Sequence, residues 1–174
     1  YIQQPGYQHD VRRLIMRGTP NHGTELYHIA WKALKETNSV PGWFRQAVGV
    51  TGIISSGPEL IGIAGGQMTP GSKFLKALNG PSDTISSEVS YRNIAGTECT
   101  NFHTQYLLPK PHDCLVTRGS QSLAGVDQYT FPVDHHQLHD DPAVYNLVKG
   151  SLLAAGSDFG GVQNNETEPF SILS

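Results

Sequence analysis

Val11-Arg12-Arg13-Leu14-Ile15-Met16-Arg17-Gly18-Thr19-Pro20-Asn21-His22-Gly23-Thr24 is the stretch from which the fold is read. The aliphatic run Val11 to Met16 has the composition of a short buried strand. Gly18 to Gly23 follows with two glycines, a proline and an asparagine, a dense set of turn residues. Thr24 then offers a hydroxyl to cap a helix from about Glu25 to Lys35. On that helix Leu26, Ile29, Ala30, Ala33 and Leu34 fall on one face. A strand, a tight turn and an amphipathic helix open a βα unit.

Outward from this unit the pattern repeats. Asn38 to Pro41 ends the helix, and Gly42 to Gly66 is apolar but broken by Gly and Pro, consistent either with two short core helices or with a lid or substrate-channel segment. Thr69-Pro70 reads as a cap followed by a first-turn proline. It opens a helix with Phe74, Leu75 and Leu78 on its apolar face, stopped at Asn79-Gly80-Pro81. Tyr91 to Thr97 reads as a second strand, 98 to 112 as a loop carrying His103, Pro109, Pro111 and His112, and Tyr129 to Val133 as a third strand. Pro142 to Ala155 is the last helix, with Val144, Leu147, Val148, Leu152 and Leu153 expected inward and Gly156 at its end. Strands alternating with helices imply an α/β fold on a mainly parallel sheet. Residues 1–155 form one domain in this reading and 156–174 a polar tail.

Composition narrows the function. The 174 residues suit one domain, long enough to bury roughly 70% of the unfolded surface. A net charge of −3 and a pI near 6.2 give no bias towards polyanions, so nucleic acid is not an expected partner. No apolar run approaches the roughly 18 residues of a transmembrane segment. Nineteen glycines and eleven prolines mark a loop-rich chain, with function expected on loops. Cys99 and Cys114 are too few for a disulfide scaffold and lack zinc-pair spacing. A single bond between them is left open, and would favour a secreted or extracytoplasmic location. No cofactor motif is present.

Three of eight histidines crowd into Asp134-His135-His136-Gln137-Leu138-His139-Asp140-Asp141. On a helix, His135 and His139 would share a face and suit a metal. Pro142 disfavours helix at Asp141, and a strand ends at Val133, so the cluster reads as a loop instead. A histidine on the loop after one strand and an aspartate on the loop after the preceding strand is the layout of an acid–base relay. Asp113 occupies that second position.

Several of these segments resemble α/β-hydrolase lipases, of the bacterial triacylglycerol lipase and GPI-inositol-deacylase-like esterase type. They are the stretch from Val11 to Thr24, Met68-Thr69-Pro70-Gly71-Ser72 with Phe74-Leu75 and Leu78-Asn79, Tyr91 with Ile94-Ala95-Gly96-Thr97, Asp113-Cys114-Leu115-Val116, and His135 with Leu138, Asp141-Pro142 and Val144. They run in family order over about residues 1 to 153. The resemblance implies the carboxyl-terminal part of an α/β-hydrolase fold, with Asp113 as the acid and His135 as the base of a Ser-His-Asp triad acting on an ester or lipid. His136 stands where the family commonly has Ser, which keeps it as an alternative base. Cys114 stands where Gly is usual. Asp127 and Asp134 are the alternative acids.

The same resemblance places a serine in a Gly-x-Ser-x-Gly elbow between strand and helix. No such pattern occurs in the 174 residues; Ser120, Ser122 and Ser157 lie near glycines without it. The chain also begins Tyr1-Ile2-Gln3-Gln4-Pro5, without Met or a signal pattern. The expectation is therefore a hydrolase whose nucleophile and amino-terminal half precede Tyr1, with these residues inactive alone. A non-catalytic hydrolase-like binding module is the competing reading, and a metal-binding histidine cluster the third.

Overall fold

The computed structural model describes residues 2, 6–37, 42, 62–80, 85–101 and 104–154. Nearly all of the 42–66 segment, His103, Gly156 and the tail lie outside that set, as does the side chain of Leu34. Three strands, β1 (Arg13–Arg17), β2 (Ser90–Gly96) and β3 (Gln128–Phe131), form a sheet in the order β1-β2-β3. Both pairings are parallel, with Arg13 opposite Ser90 and Asn93 opposite Gln128. Around it run helices α1 (Glu25–Thr37), α2 (Gly62–Gln67), α3 (Lys73–Asn79), α4 (Arg118–Gln121), α5 (Gln137–Asp140) and α6 (Pro142–Leu153). The architecture is α/β, a parallel sheet flanked by helices. No helix among the described residues is long and apolar enough to cross a membrane.

Alternation along β2 sorts its side chains between two layers. Ile94 turns to one face, where it packs with Val133, Leu138 and Val144, and Ile15, Phe131, Leu147 and Val148 close around them. Arg92, on the same side, reaches Ser151 of α6 and lies 4.8 Å over the Tyr129 ring. Asn93 turns to the opposite face and donates to the Gln121 carbonyl of α4. The sheet thus has an aliphatic side under α6 and a more polar side under α4.

Local signals explain most element ends. Thr24 Oγ accepts from Leu26 N at 3.2 Å and donates to the Leu115 carbonyl, so it starts α1 and ties it to the β2–β3 connection. Gly23 sits at φ +88°, where an added Cβ would collide with the Met68 carbonyl, so only glycine fits. Asp141 accepts from Ala143 N and Val144 N at 2.8 and 3.0 Å, and Pro142 fills the first position of α6.

Two expectations are corrected. The Thr69-Pro70 pair does not open α3. Gly71 takes φ +72°, breaking the backbone after Pro70, and Ser72 becomes the cap by accepting from Leu75 N at 3.1 Å. Of the expected apolar face only Leu75 is buried; Phe74 and Leu78 are 43% and 44% exposed, because α3 meets the Gly18–Gly23 turn through Leu75 and through Asn79, which donates to the Asn21 carbonyl at 2.7 Å. Leu152 and Leu153 likewise face outward, since the inward position of the last turn of α6 is held by buried Ser151, which meets Arg92 of β2.

This difference is testable by urea unfolding. Ile94→Ala, a truncation at a fully buried site, is expected to cost about 2–5 kcal/mol. Leu152→Ala, at an exposed site, is expected to stay within about 0.5 kcal/mol of the parent.

Candidate functional site

The loop that leaves β2 reverses at Cys99, passes a cis Lys110–Pro111 bond and returns with Asp113 to the carboxyl-terminal end of the sheet. A disulfide joins Cys99 to Cys114, so both arms of that loop are covalently tied beside Asp113. Backbone bonds complete the placement: Asp113 N donates to the Val116 carbonyl at 3.1 Å, and His135 N donates to the Asp113 carbonyl at 2.8 Å.

The Asp113 side chain is fully buried. Its Oδ1 accepts from Leu115 N at 3.0 Å and Val116 N at 2.7 Å, and its Oδ2 accepts from His135 Nδ1 at 2.8 Å. A buried carboxylate is costly unless partnered, and this one has three donors. The pairing sets the imidazole tautomer: the proton sits on Nδ1, leaving Nε2 as the acceptor. The His135 side chain keeps 23% of its surface exposed while Asp113 keeps none. A histidine oriented through Nδ1 by a buried carboxylate and partly open to solvent has the geometry to take a proton at Nε2 and return it.

The other histidines divide sharply. His136 and His139 are exposed, their ring centroids each 6.4 Å from that of His135. The cluster follows β3 as a turn into α5, and His135 precedes that helix, so a helical i, i+4 ligand pair does not form. No group of three metal-ligating side chains occurs among the described residues. Asp134, an alternative acid, accepts from Gln137 N at 2.9 Å and Thr100 Oγ at 3.0 Å, and thus shapes the turn. The Asp127 carbonyl accepts from Asn93 N at the other end of the sheet. His22 contributes its backbone N–H to the Ser120 carbonyl within the Gly18–Gly23 turn.

Two features of the site were not singled out from sequence. His112 is 1% exposed; its Nδ1 accepts from Cys114 N at 3.2 Å, and its Nε2 donates to the Gln105 carbonyl at 3.2 Å. It is a structural pin for the segment carrying Asp113, and nothing in its sequence context separates it from a surface loop histidine. Gln121 is fully buried and donates to the carbonyls of Gly96 and Val116, linking the end of β2 to the Asp113 turn.

No family model matches the chain, and no curated protein does. Among solved structures, the crystal structure of Bacillus licheniformis lipase BlEst2 in mature form is similar, with a TM-score of 0.58 and 20% identity over 83% of this chain. The likeness is one of fold. The chain spans 56% of the length of that lipase.

Burial holds the His112 imidazole below its ordinary value of 6.5. Its stabilising contribution is therefore intact above pH 6.5 and declines as the pH falls below that value, where the unfolded chain takes up a proton that the folded one resists. Denaturant titrations from pH 7.5 to 5 are expected to show falling stability in the parent and a shallower fall in His112→Gln.

Proposed function

We propose that these residues are the distal part of a serine carboxyl-ester hydrolase of the α/β-hydrolase type, acting on an ester or lipid substrate. The observation that carries the reading is the 2.8 Å bond from His135 Nδ1 to the buried Asp113 carboxylate at the carboxyl-terminal end of a parallel sheet. The fold likeness to a lipase and the ordered run of hydrolase-like segments support it. The Cys99–Cys114 bond suits an oxidising compartment.

In this mechanism His135 Nε2 removes the proton of a serine hydroxyl as its oxygen attacks the ester carbonyl carbon. Asp113 stays ionised, fixes the tautomer and stabilises the imidazolium. His135 then gives the proton to the departing alkoxide, and an acyl-enzyme remains. Water, deprotonated by the same nitrogen, attacks the acyl carbonyl, and the serine recovers its proton as the acid leaves. The serine of the proposal belongs to residues outside the 174, because none of those has an elbow context.

In the full natural chain a fluorophosphonate probe is expected to label one serine. His135→Ala should lower ester turnover by about 10³-fold or more, and Asp113→Asn by about 10⁴-fold through the wrong tautomer. His139→Ala should be nearly silent. Loss on His139→Ala with tolerance of His135→Ala would transfer the role of base, and absence of labelling would remove the esterase reading in favour of a binding module. Residues 1–174 alone should hydrolyse p-nitrophenyl esters no faster than their His135→Ala variant; faster turnover would place a nucleophile within them.

A further inference from the structure

Gly18 continues the ladder one step past β1, donating its N–H to the Ile94 carbonyl at 2.9 Å, and Gly96 is the last residue of β2. These are adjacent strands, and the two glycines sit side by side at the end of the sheet where Asp113 and His135 meet. A Cβ on Gly18 would lie 2.8 Å from His135 Cε1, 2.9 Å from its Nδ1 and 3.0 Å from Leu138 Cδ1. A Cβ on Gly96 would lie 2.8 Å from Asp113 Cβ and 2.6 Å from the Val133 carbonyl. One glycine therefore lies under the imidazole and the other under the carboxylate.

We infer that Gly18 and Gly96 are positioning residues for the His135–Asp113 pair: the bare backbone at the ends of β1 and β2 is the floor on which the two side chains meet. The inference rests on the acid–base reading of that pair. The physical argument is one of reach. Asp113 is fixed by two backbone N–H groups and cannot follow a displaced ring. Leu138, 1% exposed, would also meet a Cβ on either glycine, at 3.0 Å from Gly18 and 3.4 Å from Gly96. A methyl on Gly18 would have to shift the imidazole by roughly half an ångström to restore ordinary contact. It would do so at Nδ1, the atom that bonds Asp113. A misplacement of about 1 Å costs about 10²-fold in rate, so a half-ångström shift predicts a loss of about tenfold or more.

Gly18 also has φ +60°, so the strain of a left-handed alanine must be separated from the contact. Gly125 serves as the control. It has φ +76°, precedes β3 at the other end of the sheet, and among the described residues a Cβ there meets only Ile85 Cδ1, at an ordinary 3.6 Å. Gly18→Asn is the second variant, since asparagine tolerates the left-handed region yet carries the same Cβ. The first readout is the downfield proton NMR signal of His135 Nδ1–H in the full chain, identified by its loss in His135→Ala. The second is ester hydrolysis, resolved into kcat and KM.

Gly18→Ala and Gly18→Asn are expected to stay folded and lose or shift the Nδ1–H signal. Their kcat should fall about tenfold or more, with KM within about twofold. Gly125→Ala should keep signal and kcat. An unchanged signal in a folded Gly18 variant overturns the inference. So does unfolding of both Gly18 variants while Gly125→Ala folds, which would make the glycine a folding requirement only. A parent with the signal but no ester turnover sinks the esterase reading, and the NMR comparison alone then decides the positioning role.

Discussion

Among the described residues Asp113 is the one buried carboxylate, a group that the surrounding structure must satisfy completely. Leaving a carboxylate in a dry interior costs several kcal/mol if it is not partnered. Two of its three donors are backbone N–H groups of the next residues but one and two, which forces a tight turn at 113–116. The third is a side chain 22 residues away, which forces the end of β3 to return over the end of β2. The bond from His135 N to the Asp113 carbonyl closes the same pair from the main chain. Geometry and chemistry are therefore fixed together: whatever keeps the carboxylate satisfied also keeps the imidazole in one tautomer.

The connection between β2 and β3 would be a weak support if it were an ordinary loop, because its single helix, α4, has only four residues. It is stiffened by other means. The Cys99–Cys114 bond ties its arms, and cross-linking a loop of this size contributes about 3 kcal/mol in the chain-entropy model. His112 takes up the Cys114 N–H, whose residue has φ +80°, so the segment next to Asp113 is held from both its side chain and its backbone. Gln121 bridges Gly96 to Val116, and Asn21 reaches across to the Gln121 carbonyl at 2.8 Å. The turn after β1 and the turn after β2 thereby share one anchor.

Much of this was legible in the sequence, and the reasons are local. The cap at Thr24 and the first-turn proline at Pro142 act on the helix that follows each of them, so those roles follow from residue type and position. The three strands were found from aliphatic runs, with ends displaced by one or two residues. Asp113 and the histidine cluster stand out by their places after consecutive strands, the resemblance to hydrolases selects His135 within the cluster, and the structure brings Asp113 and His135 together. What was not legible depends on contacts between distant segments. The inward or outward facing of Phe74, Leu78, Leu152 and Leu153 depends on which side of each helix meets distant segments of the chain. The burial of His112 depends on a loop folding back on itself. The Thr69-Pro70 start failed because Gly71 and Ser72 offered a better one, with a free hydroxyl immediately before the aliphatic turn.

The distribution of polar groups explains why the Asp113–His135 pair sits at one end of this sheet. Parallel strands expose their last carbonyls and the loops that follow at one edge, and side chains there are placed by rigid elements yet reach solvent. Here the aliphatic cluster around Ile94 stops at Leu138, immediately below His135. The polar layer of Asn93 and Gln121 stops at Gly96, immediately below Asp113. Asp113 is thus embedded where carbonyls and amides already interlock, and His135 sits where hydrocarbon gives way to solvent. A buried carboxylate bonded through both oxygens is held still, while the imidazole bonded to it stays partly open to solvent.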